Sequence, residues 1–246
     1  MAKPFNDADR AAVYRAIYER RDMRHFVRGP VDPAVLQRLL DAAHHAPSVG
    51  YMQPWRIARI TDPALRDALH DAVERERLQT ADALGKRRDE FMKLKVEGMR
   101  DCAEVLVVAL MDGRETHIFG RRTLPEMDLA SVACAIQNMW LAARAEGIGI
   151  GWVSLFDPNE VRALLHMPDG AQPVAILCVG QIDDYYPEPM LEMEHWATRA
   201  RLGDCVFENR WPDGRTLKAT AASTDSAALH DKKPHQQPSA KTRPPE

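Results

Sequence analysis

The segment from Met127 to Glu146 is the pattern that most constrains how this chain can fold. Its apolar residues recur every three or four positions, and Gly147 follows where helices commonly end in a left-handed conformation. A helix with this apolar face must pack against another layer, so the sequence predicts a central helix against a sheet. The predicted buried face comprises Leu129, Val132, Ala133, Ile136, Met139, Trp140 and Ala143.

Short apolar segments on both sides of this helix predict the strands. Residues 105–111 contain no polar side chain, which is typical of a strand buried on both faces. Residues 55–60, 148–155 and 174–179 are the other predicted strands. Because they are interleaved with helical segments, we expect an α+β domain with a central mixed β-sheet flanked by helices.

Polar caps mark where the other helices begin. Asp32, Asp62 and Asp157 each precede a proline, the combination favoured at the first turn of a helix, and Glu160 is placed to complete a capping box. Asn6 or Asp7 caps a first helix running to about Arg21. Its apolar stripe comprises Val13, Tyr14, Ile17 and Tyr18.

The C-terminal part of the chain differs in composition from the rest. Residues 183–211 are polar and interrupted by proline, yet they carry Tyr185, Tyr186, Trp196, Phe207 and Trp211. Such an arm cannot form a core alone, so we expect it to wrap around the domain or a partner subunit. The predicted domain is 5–211. Residues 212–246 contain no aromatic residue and are predicted to be disordered.

Charge and cysteine content restrict the class of protein. The net charge of -3 over 246 residues gives no basic field that would attract nucleic acid. The N-terminus carries charges where a signal peptide would be apolar, so we expect a cytoplasmic protein. The four cysteines are widely spaced, which argues against a disulfide framework or a zinc site. Cys102, Cys134 and Cys178 are predicted to be buried.

Three arginines at the end of the first helix form the first candidate site. Arg20, Arg21 and Arg24 surround Asp22, and guanidinium forks suit the oxygens of a phosphate. The alternative is that these cations simply stabilise the C-terminal end of the helix.

Two further segments could contact a ligand. In the loop 46–55, Ser48 and Gln53 offer polar groups beside Gly50, although a plain surface turn would have similar composition. In the strand after the long helix, Gly149 and Gly151 could allow close approach of a ligand, and Ser154 could donate a hydrogen bond. A simple strand is the alternative there.

Several other polar residues predict no site. His44 and His45 are adjacent, which is poor spacing for two ligands of one metal, and no metal site is expected. His117, Arg121 and Arg122 form a basic cluster expected to be solvated. The glycines at 147–151 follow a helix and enter a strand, the reverse of the order in a dinucleotide-binding fold.

Taken together in this order, the motifs resemble the FMN-dependent nitroreductase superfamily. They are Arg-Arg-Asp-Met-Arg-His-Phe at 20–26, Ala-Pro-Ser at 46–48 with Gln-Pro-Trp at 53–55, and Glu-Gly-Ile-Gly at 146–149. The resemblance covers about residues 10–200. It implies a nitroreductase-like fold and an intertwined homodimer with each site at the subunit interface.

The resemblance also implies roles for particular residues. Arg20, Arg21 and Arg24 would hold the phosphate and ribityl end of FMN, while Ser48 and Met52 would line the flavin. Asp22 would act as the acid or base, kept ionised by its arginine neighbours, and Ser154 as a hydrogen-bond donor. The full expected flavin-binding set is Arg20, Arg21, Asp22, Met23, Arg24, Ser48, Met52, Gln53 and Ser154.

Four segments resemble one branch of this superfamily more closely. These are Arg-Asp-Met-Arg-His-Phe, Gly-Tyr-Met-Gln-Pro-Trp, Gly-Trp-Val-Ser and residues 186–192. That branch uses dioxygen to fragment reduced FMN into 5,6-dimethylbenzimidazole and erythrose 4-phosphate, so reduced FMN is its substrate. A separate NAD(P)H-dependent flavin reductase would supply it. The alternatives are an NAD(P)H-dependent nitroreductase with resident FMN, and an FMN-binding protein without catalysis.

One position departs from the superfamily pattern Pro-Ser-x-x-Asn-x-Gln-Pro-Trp. Tyr51 stands where that pattern has Asn, which replaces an amide with a bulky ring. The charged segment from Thr80 to Gly98 is predicted to be a helical excursion that could act as a lid. Both features would suit a site closed around flavin and oxygen.

Overall fold

A computed structural model describes residues 3–211, which form two compact units with a boundary after Glu194. The first unit contains the sheet and the helices. In the second, Arg201 pairs with Asp204 at 3.1 Å and the rings of Phe207 and Trp211 meet at 5.0 Å. The segment 212–246 lies outside the described residues, and a single domain over 5–211 stays a prediction.

The sheet has four strands, β1 (Trp55–Ile60), β2 (Glu104–Leu110), β3 (Gly149–Val153) and β4 (Gln172–Gly180). Their order is β1-β2-β4-β3, and each neighbouring pair is antiparallel. The α+β class is therefore confirmed. The sheet was predicted to be mixed, but its four strands are all antiparallel to their neighbours. Within residues 3–211, the parallel pairing is an isolated bridge between Asp22 and Ile150.

The helices begin at the predicted caps. The side chains of Asn6, Asp32, Asp62 and Asp157 each accept a hydrogen bond from a backbone N–H of the first turn. Glu160, predicted to complete a capping box, forms an ion pair with Arg75 instead. The helices are α1 (Asp7–Glu19), α2 (Pro33–His44), α3 (Pro63–Ala83), α4 (Arg88–Lys93), α5 (Met127–Glu146), α6 (Pro158–Leu164) and α7 (Met190–Met193).

Strand β2 separates two hydrophobic clusters. Side chains alternate across a strand, so Leu106 and Val108 face α2 and α5, whereas Val105 and Val107 pack with residues of α3 and α6. All four side chains are almost completely buried. The absence of polar residues from positions 105–110 of this strand follows from its having a core on each face.

Six residues at positions predicted to be apolar or buried are exposed. Helix α1 has no buried residue, and its stripe of Val13, Tyr14, Ile17 and Tyr18 is between 42% and 70% exposed. Leu129 of α5 is 43% exposed, and Cys134 lies on the outer face of the same helix. The exposure of Cys134 follows from its position on the helix. Ala135 and Ile136 lie on the face that packs in the core, and Cys134 lies outside that face.

The charged segment after Thr80 packs along α3. Helix α3 continues through Thr80 to Ala83, and α4 follows after a short turn. Arg77 of α3 donates a hydrogen bond to the Met92 carbonyl at 2.8 Å, and Arg66 donates to the Met99 carbonyl at 2.6 Å. These two hydrogen bonds attach the charged segment to α3. Its role as a lid stays a prediction.

The side chain of Arg121 is largely enclosed, although a solvated basic cluster was expected. Its side chain and that of Arg114 are 10% and 11% exposed, and both guanidinium groups pair with the buried carboxylate of Asp128 at 3.0 and 2.9 Å. A carboxylate removed from water requires such partners, which accounts for the burial. His117 and Arg122 are exposed as expected. No helix between residues 3 and 211 is long and apolar enough to cross a membrane.

Candidate functional site

Asp22 and Arg24 form a bidentate ion pair beside strand β3. The two guanidinium nitrogens Nη1 and Nη2 lie 2.6 and 2.8 Å from the carboxylate oxygens. Trp152 completes the arrangement, because its N–H donates to Asp22 at 2.9 Å and its carbonyl accepts from Arg24 at 2.8 Å. Residues that are 128 to 130 positions apart in the sequence are thereby fixed in one hydrogen-bonded unit.

Gly151 permits this close approach. A Cβ atom at this position would come within 2.7 Å of Nη1 of Arg24 and still closer to the Met23 carbonyl oxygen. The Met23 N–H donates to the Ile150 carbonyl at 2.9 Å, which holds the two segments edge to edge. The glycine in this strand therefore accommodates backbone of the same chain, as glycines at such contacts commonly do.

The environment of Asp22 raises its pKa above that of an ordinary aspartate. Loss of water around the carboxyl raises the pKa, while Arg24, the Trp152 N–H and Arg20 lower it by smaller amounts. The arginines act in the expected direction, but desolvation outweighs them. The side chain remains 42% exposed, which moderates the rise and leaves the carboxyl accessible to a ligand.

Ser154 lies at the same end of β3. The strand ends at Val153, and Ser154 is exposed two residues after Trp152. The structure therefore brings Ser154 to the strand end where Asp22 and Arg24 are anchored.

The arginines of the cluster have different surroundings. Arg21 donates to the Tyr18 carbonyl at 2.8 Å, so it also stabilises the end of α1, as the alternative interpretation proposed. Arg20 places its guanidinium 4.6 Å from the ring centre of Trp140. The Nε atoms of Arg21 and Arg24 are buried and have no hydrogen-bond partner among residues 3–211. Such donors fit an additional acceptor, as an anionic ligand would supply.

The loop at 48–53 is held by two serine hydroxyls. Oγ of Ser48 accepts from the Gln53 N–H at 3.0 Å, and Oγ of Ser131 in α5 accepts from the Val49 N–H at 3.0 Å. Ser131 in turn donates to the Met127 carbonyl at 2.6 Å. The hydroxyl of Ser48 thus stabilises the loop through a hydrogen bond between two of the loop's own residues.

The backbone of this loop is left-handed at three positions. Gly50, Tyr51 and Gln53 have φ angles of 54°, 54° and 50°. A tyrosine is disfavoured in this region, whereas asparagine adopts it readily. The Asn of the superfamily pattern would therefore suit the local backbone better than Tyr51, whose side chain is 83% exposed.

Two predicted flavin-binding side chains point into the protein. Met23 is 1% exposed and Met52 is 9% exposed. Within one chain, Met23 stabilises the arginine segment and Met52 stabilises the 48–53 loop, the two segments that carry the polar site residues.

Helix α5 joins the two groups of candidate residues. Ser131 bonds to the loop, and the indole N–H of Trp140 donates to the Arg21 carbonyl at 3.0 Å. These two positions of α5 are nine residues apart, which corresponds to about 14 Å along a helix. The structure therefore brings Asp22 and Arg24 together beside β3, which Ser154 directly follows, and separately joins Ser48 and Gln53 within the loop.

Three residues outside the predicted set of site residues contribute to this region. Ser131 could have been noticed as a hydroxyl on the buried face of an otherwise apolar helix. His25 and Tyr186 are in hydrogen-bond contact at 2.7 Å, and no local pattern predicts a contact across 161 positions.

The two adjacent histidines have structural partners. Nδ1 of His44 accepts from the Trp55 indole at 3.3 Å, and Nδ1 of His45 lies 2.8 Å from the Asp41 carbonyl. Across residues 3–211, no three His, Cys, Asp or Glu side chains are grouped so that they could hold a metal ion.

The antiparallel sheet, its central helix and the arginine segment beside β3 define the class of this protein. The model of the Nitroreductase family matches residues 17–181, and the chain belongs to that family. A 5,6-dimethylbenzimidazole synthase of Rhodospirillum rubrum is 42% identical over 183 residues, covering 73% of this chain and 86% of the relative. A protein of the same name from Rhodobacter capsulatus is 36% identical over 194 residues, covering 78% and 94%.

A solved structure agrees with this fold. Iodotyrosine deiodinase bound to FMN and 3-iodo-L-tyrosine superimposes with a TM-score of 0.63 at 22% identity, over 81% of this chain and 100% of that one. This likeness concerns the fold.

Proposed function

We propose that this protein uses dioxygen to fragment reduced FMN into 5,6-dimethylbenzimidazole, the lower ligand of vitamin B12, and erythrose 4-phosphate. The proposal draws on the two relatives named for that product, at 42% and 36% identity. The observation that carries it within the chain is the Asp22–Arg24 pair, which presents an accessible carboxyl at the end of β3.

The chemistry of the donors fits an anionic flavin. Arg20, Arg21 and Arg24 would hold the phosphate and ribityl end, although the terminal nitrogens of Arg21 and Arg24 also donate to oxygens of the protein. The 48–53 loop would face the ring system with Ser48, Met52 and Gln53. Reduced FMN supplies the carbon skeleton and the electrons; the chain binds it, orients it and limits access of water.

Asp22 is our candidate for moving a proton at the ribityl carbon that becomes part of the product. A general acid or base works best when its pKa lies near the working pH, and desolvation moves the pKa of Asp22 in that direction. Arg24 and the Trp152 N–H fix the orientation of the carboxyl. Asp22 therefore combines accessibility, orientation and a raised pKa.

Ser154 is our candidate for the hydrogen bond that positions the flavin or dioxygen. We expect Ser154→Gly to lower the rate of product formation about tenfold, whereas Ser154→Thr keeps the hydroxyl and retains most of the rate. Oxygen consumption and product yield together measure this. Unchanged values in Ser154→Gly would remove the residue from the mechanism.

We also propose that the protein is a homodimer with its sites at the subunit interface. Val13, Tyr14, Ile17 and Tyr18 form an apolar stripe on a helix without buried residues, and such a helix gains most of its stability from packing. A second copy would cover this stripe. Sedimentation analysis of the wild type and of Ile17→Glu tests this, and a monomeric wild type would contradict it.

The supply of reduced flavin is a separate step. We propose that an NAD(P)H-dependent flavin reductase in the cytoplasm provides it. The alternative functions, a nitroreductase with resident FMN and a non-catalytic FMN-binding protein, receive less support from the names of the more similar relatives.

The deciding experiment is an aerobic incubation of the protein with FMN, NADPH and an unrelated flavin reductase, followed by mass spectrometry. We expect 5,6-dimethylbenzimidazole to form only when both oxygen and this protein are present. Intact FMN, together with NADPH oxidation by the protein alone in the presence of a nitroaromatic compound, would favour the nitroreductase. Tight FMN binding without turnover in either assay would favour the binding protein.

A further inference from the structure

The hydroxyl group of Tyr186 lies at the centre of a small hydrogen-bond network. It is 3.1 Å from the backbone nitrogen of Arg24, 3.2 Å from that of His25, and 2.7 Å from Nδ1 of the His25 ring. Tyr186 belongs to the C-terminal arm, whereas Arg24 and His25 belong to the arginine segment. One side-chain oxygen thus joins two segments that are far apart in sequence.

The donors and acceptors of this network favour one direction for the tyrosine proton. A phenol has one proton to donate and two lone pairs that accept. Both backbone N–H groups donate to the Tyr186 oxygen, so its own proton is directed to Nδ1 of His25. The imidazole is the acceptor that orients the tyrosine hydroxyl.

The arm is anchored on both sides of Tyr186. The hydroxyl of Tyr185 donates to the Ile148 carbonyl at 2.8 Å, and the Arg144 guanidinium lies 4.3 Å from its ring centre. Burial raises the pKa of Tyr185 to about 12, so that hydroxyl stays a donor. On the other side, the Pro187 carbonyl accepts from Arg21 at 2.8 Å. The Arg144 contact with the Tyr185 ring and the Arg21–Pro187 hydrogen bond do not need the Tyr185 hydroxyl, so the arm keeps the Tyr186 hydroxyl in place without it.

Arg24 is held at both its backbone and its side chain. Tyr186 binds its backbone nitrogen, and Asp22 and Trp152 bind its guanidinium. We propose that Tyr186 and His25 are positioning residues that set the placement of the Asp22–Arg24 pair in the flavin site. This inference rests on the proposed function for the identity of the ligand and of the reaction.

The neighbouring tyrosines offer a matched comparison. We expect Tyr186→Phe to weaken the binding of FMN, measured by quenching of flavin fluorescence, about fivefold. At saturating reduced FMN it lowers the rate of product formation about tenfold. Tyr185→Phe also removes one hydroxyl from the arm, but we expect its FMN affinity and its rate to stay within about twofold of wild type.

His25 provides a second test that leaves Tyr186 intact. In His25→Asn the side-chain oxygen can replace Nδ1 as the acceptor, whereas His25→Leu provides none. We expect the Asn variant to keep most of the wild-type rate at saturating flavin and the Leu variant to lose about tenfold. A merely structural role would lower the melting temperature of His25→Leu without a change in that rate.

The possible results separate this inference from the proposed function. If the wild type forms product and Tyr186→Phe matches Tyr185→Phe in both affinity and rate, the inference is wrong. If the wild type forms no product while Tyr186→Phe still weakens FMN binding relative to Tyr185→Phe, the proposed function fails and the positioning role stands. If Tyr186→Phe does not fold, equal rates for His25→Asn and His25→Leu overturn the inference.

Discussion

The arginine segment at 20–24 and the loop at 48–53 are built in opposite ways. In the first, the side chains of Asp22 and Arg24 bind to β3 and no residue has a positive φ angle. In the second, backbone groups are held by serine hydroxyls, three residues are left-handed, and Tyr51 projects into solvent. The fold thus fixes the Asp22 carboxyl by itself, while the loop presents a surface that a ligand or second subunit can complete.

The two regions should also differ in energetic terms. Removing one partner of an enclosed ion pair costs about 3–5 kcal/mol, and less where solvent reaches the pair, as it does at Asp22. The loop depends on individual hydrogen bonds, each worth about 1 kcal/mol. Substitutions in the arginine segment should therefore affect folding and chemistry together, and those in the loop mainly affinity.

The largest effect is expected from Gly151→Ala. The added methyl group would collide with the Met23 carbonyl and with Arg24, so the segment must move away from β3. We expect a loss of about 1–3 kcal/mol or more in the free energy of unfolding, and loss of FMN binding. Thermal unfolding and flavin titration measure these. Gly203→Ala, where no atom lies within 4 Å of the added carbon, is the control.

Next in size is Asp22→Asn. The amide keeps the shape of the carboxyl but cannot accept or release the proton, so product formation should fall about 100-fold or more. The pH–rate profile reports the role. If Asp22 is the base, the wild-type rate falls as pH drops through its raised pKa, and this limb disappears in the variant. Product formation at the wild-type rate would disprove the assignment.

Ser131→Ala should have a moderate effect, confined to the loop. It removes the acceptor of the Val49 N–H, and an unsatisfied donor of this kind costs about 1–3 kcal/mol. We expect FMN affinity to drop about fivefold while the rate at saturating flavin is nearly unchanged. Cys134→Ala, on the exposed face of the same helix, should change neither quantity.

The smallest effect is expected from Tyr51→Asn. Asparagine tolerates the left-handed backbone, so the free energy of unfolding should rise by about 0.5–1 kcal/mol. If Tyr51 closes the site, direct oxidation of NADPH with a nitroaromatic compound should increase a few-fold. Tyr51→Phe keeps both the strain and the ring and should behave as wild type. A Tyr51→Asn variant without increased NADPH oxidation would argue against closure by this ring.

Local patterns predicted the parts of the fold that depend on local rules. Met127–Glu146 and Gly147 agree with the structure because periodicity and a glycine stop are properties of one segment. The aspartate caps agree for the same reason. The stripe on α1 was identified, but whether a stripe is buried within one chain depends on its neighbours.

The site was only partly predictable. The sequence placed Asp22, Arg24 and Ser154 among the candidates, but the joining of Asp22 and Arg24 through Trp152 depends on pairing across 128 to 130 positions. The direction in which the Asp22 pKa is shifted depends on the balance between desolvation and the charges of the arginines, and the spacing of residues in the sequence does not reveal that balance. Arg121 was expected in solvent because the carboxylate of Asp128 gave no sign in the sequence that it would be buried.

Helix α5 also limits how this chain can change in length. Its Ser131 and Trp140 contact the loop and the arginine segment, and each residue of a helix turns by about 100°. A single insertion between them would rotate one contact away from its partner while leaving the helix itself intact. The nine-residue spacing between Ser131 and Trp140 is therefore fixed, and we expect insertions and deletions in related proteins to lie outside it.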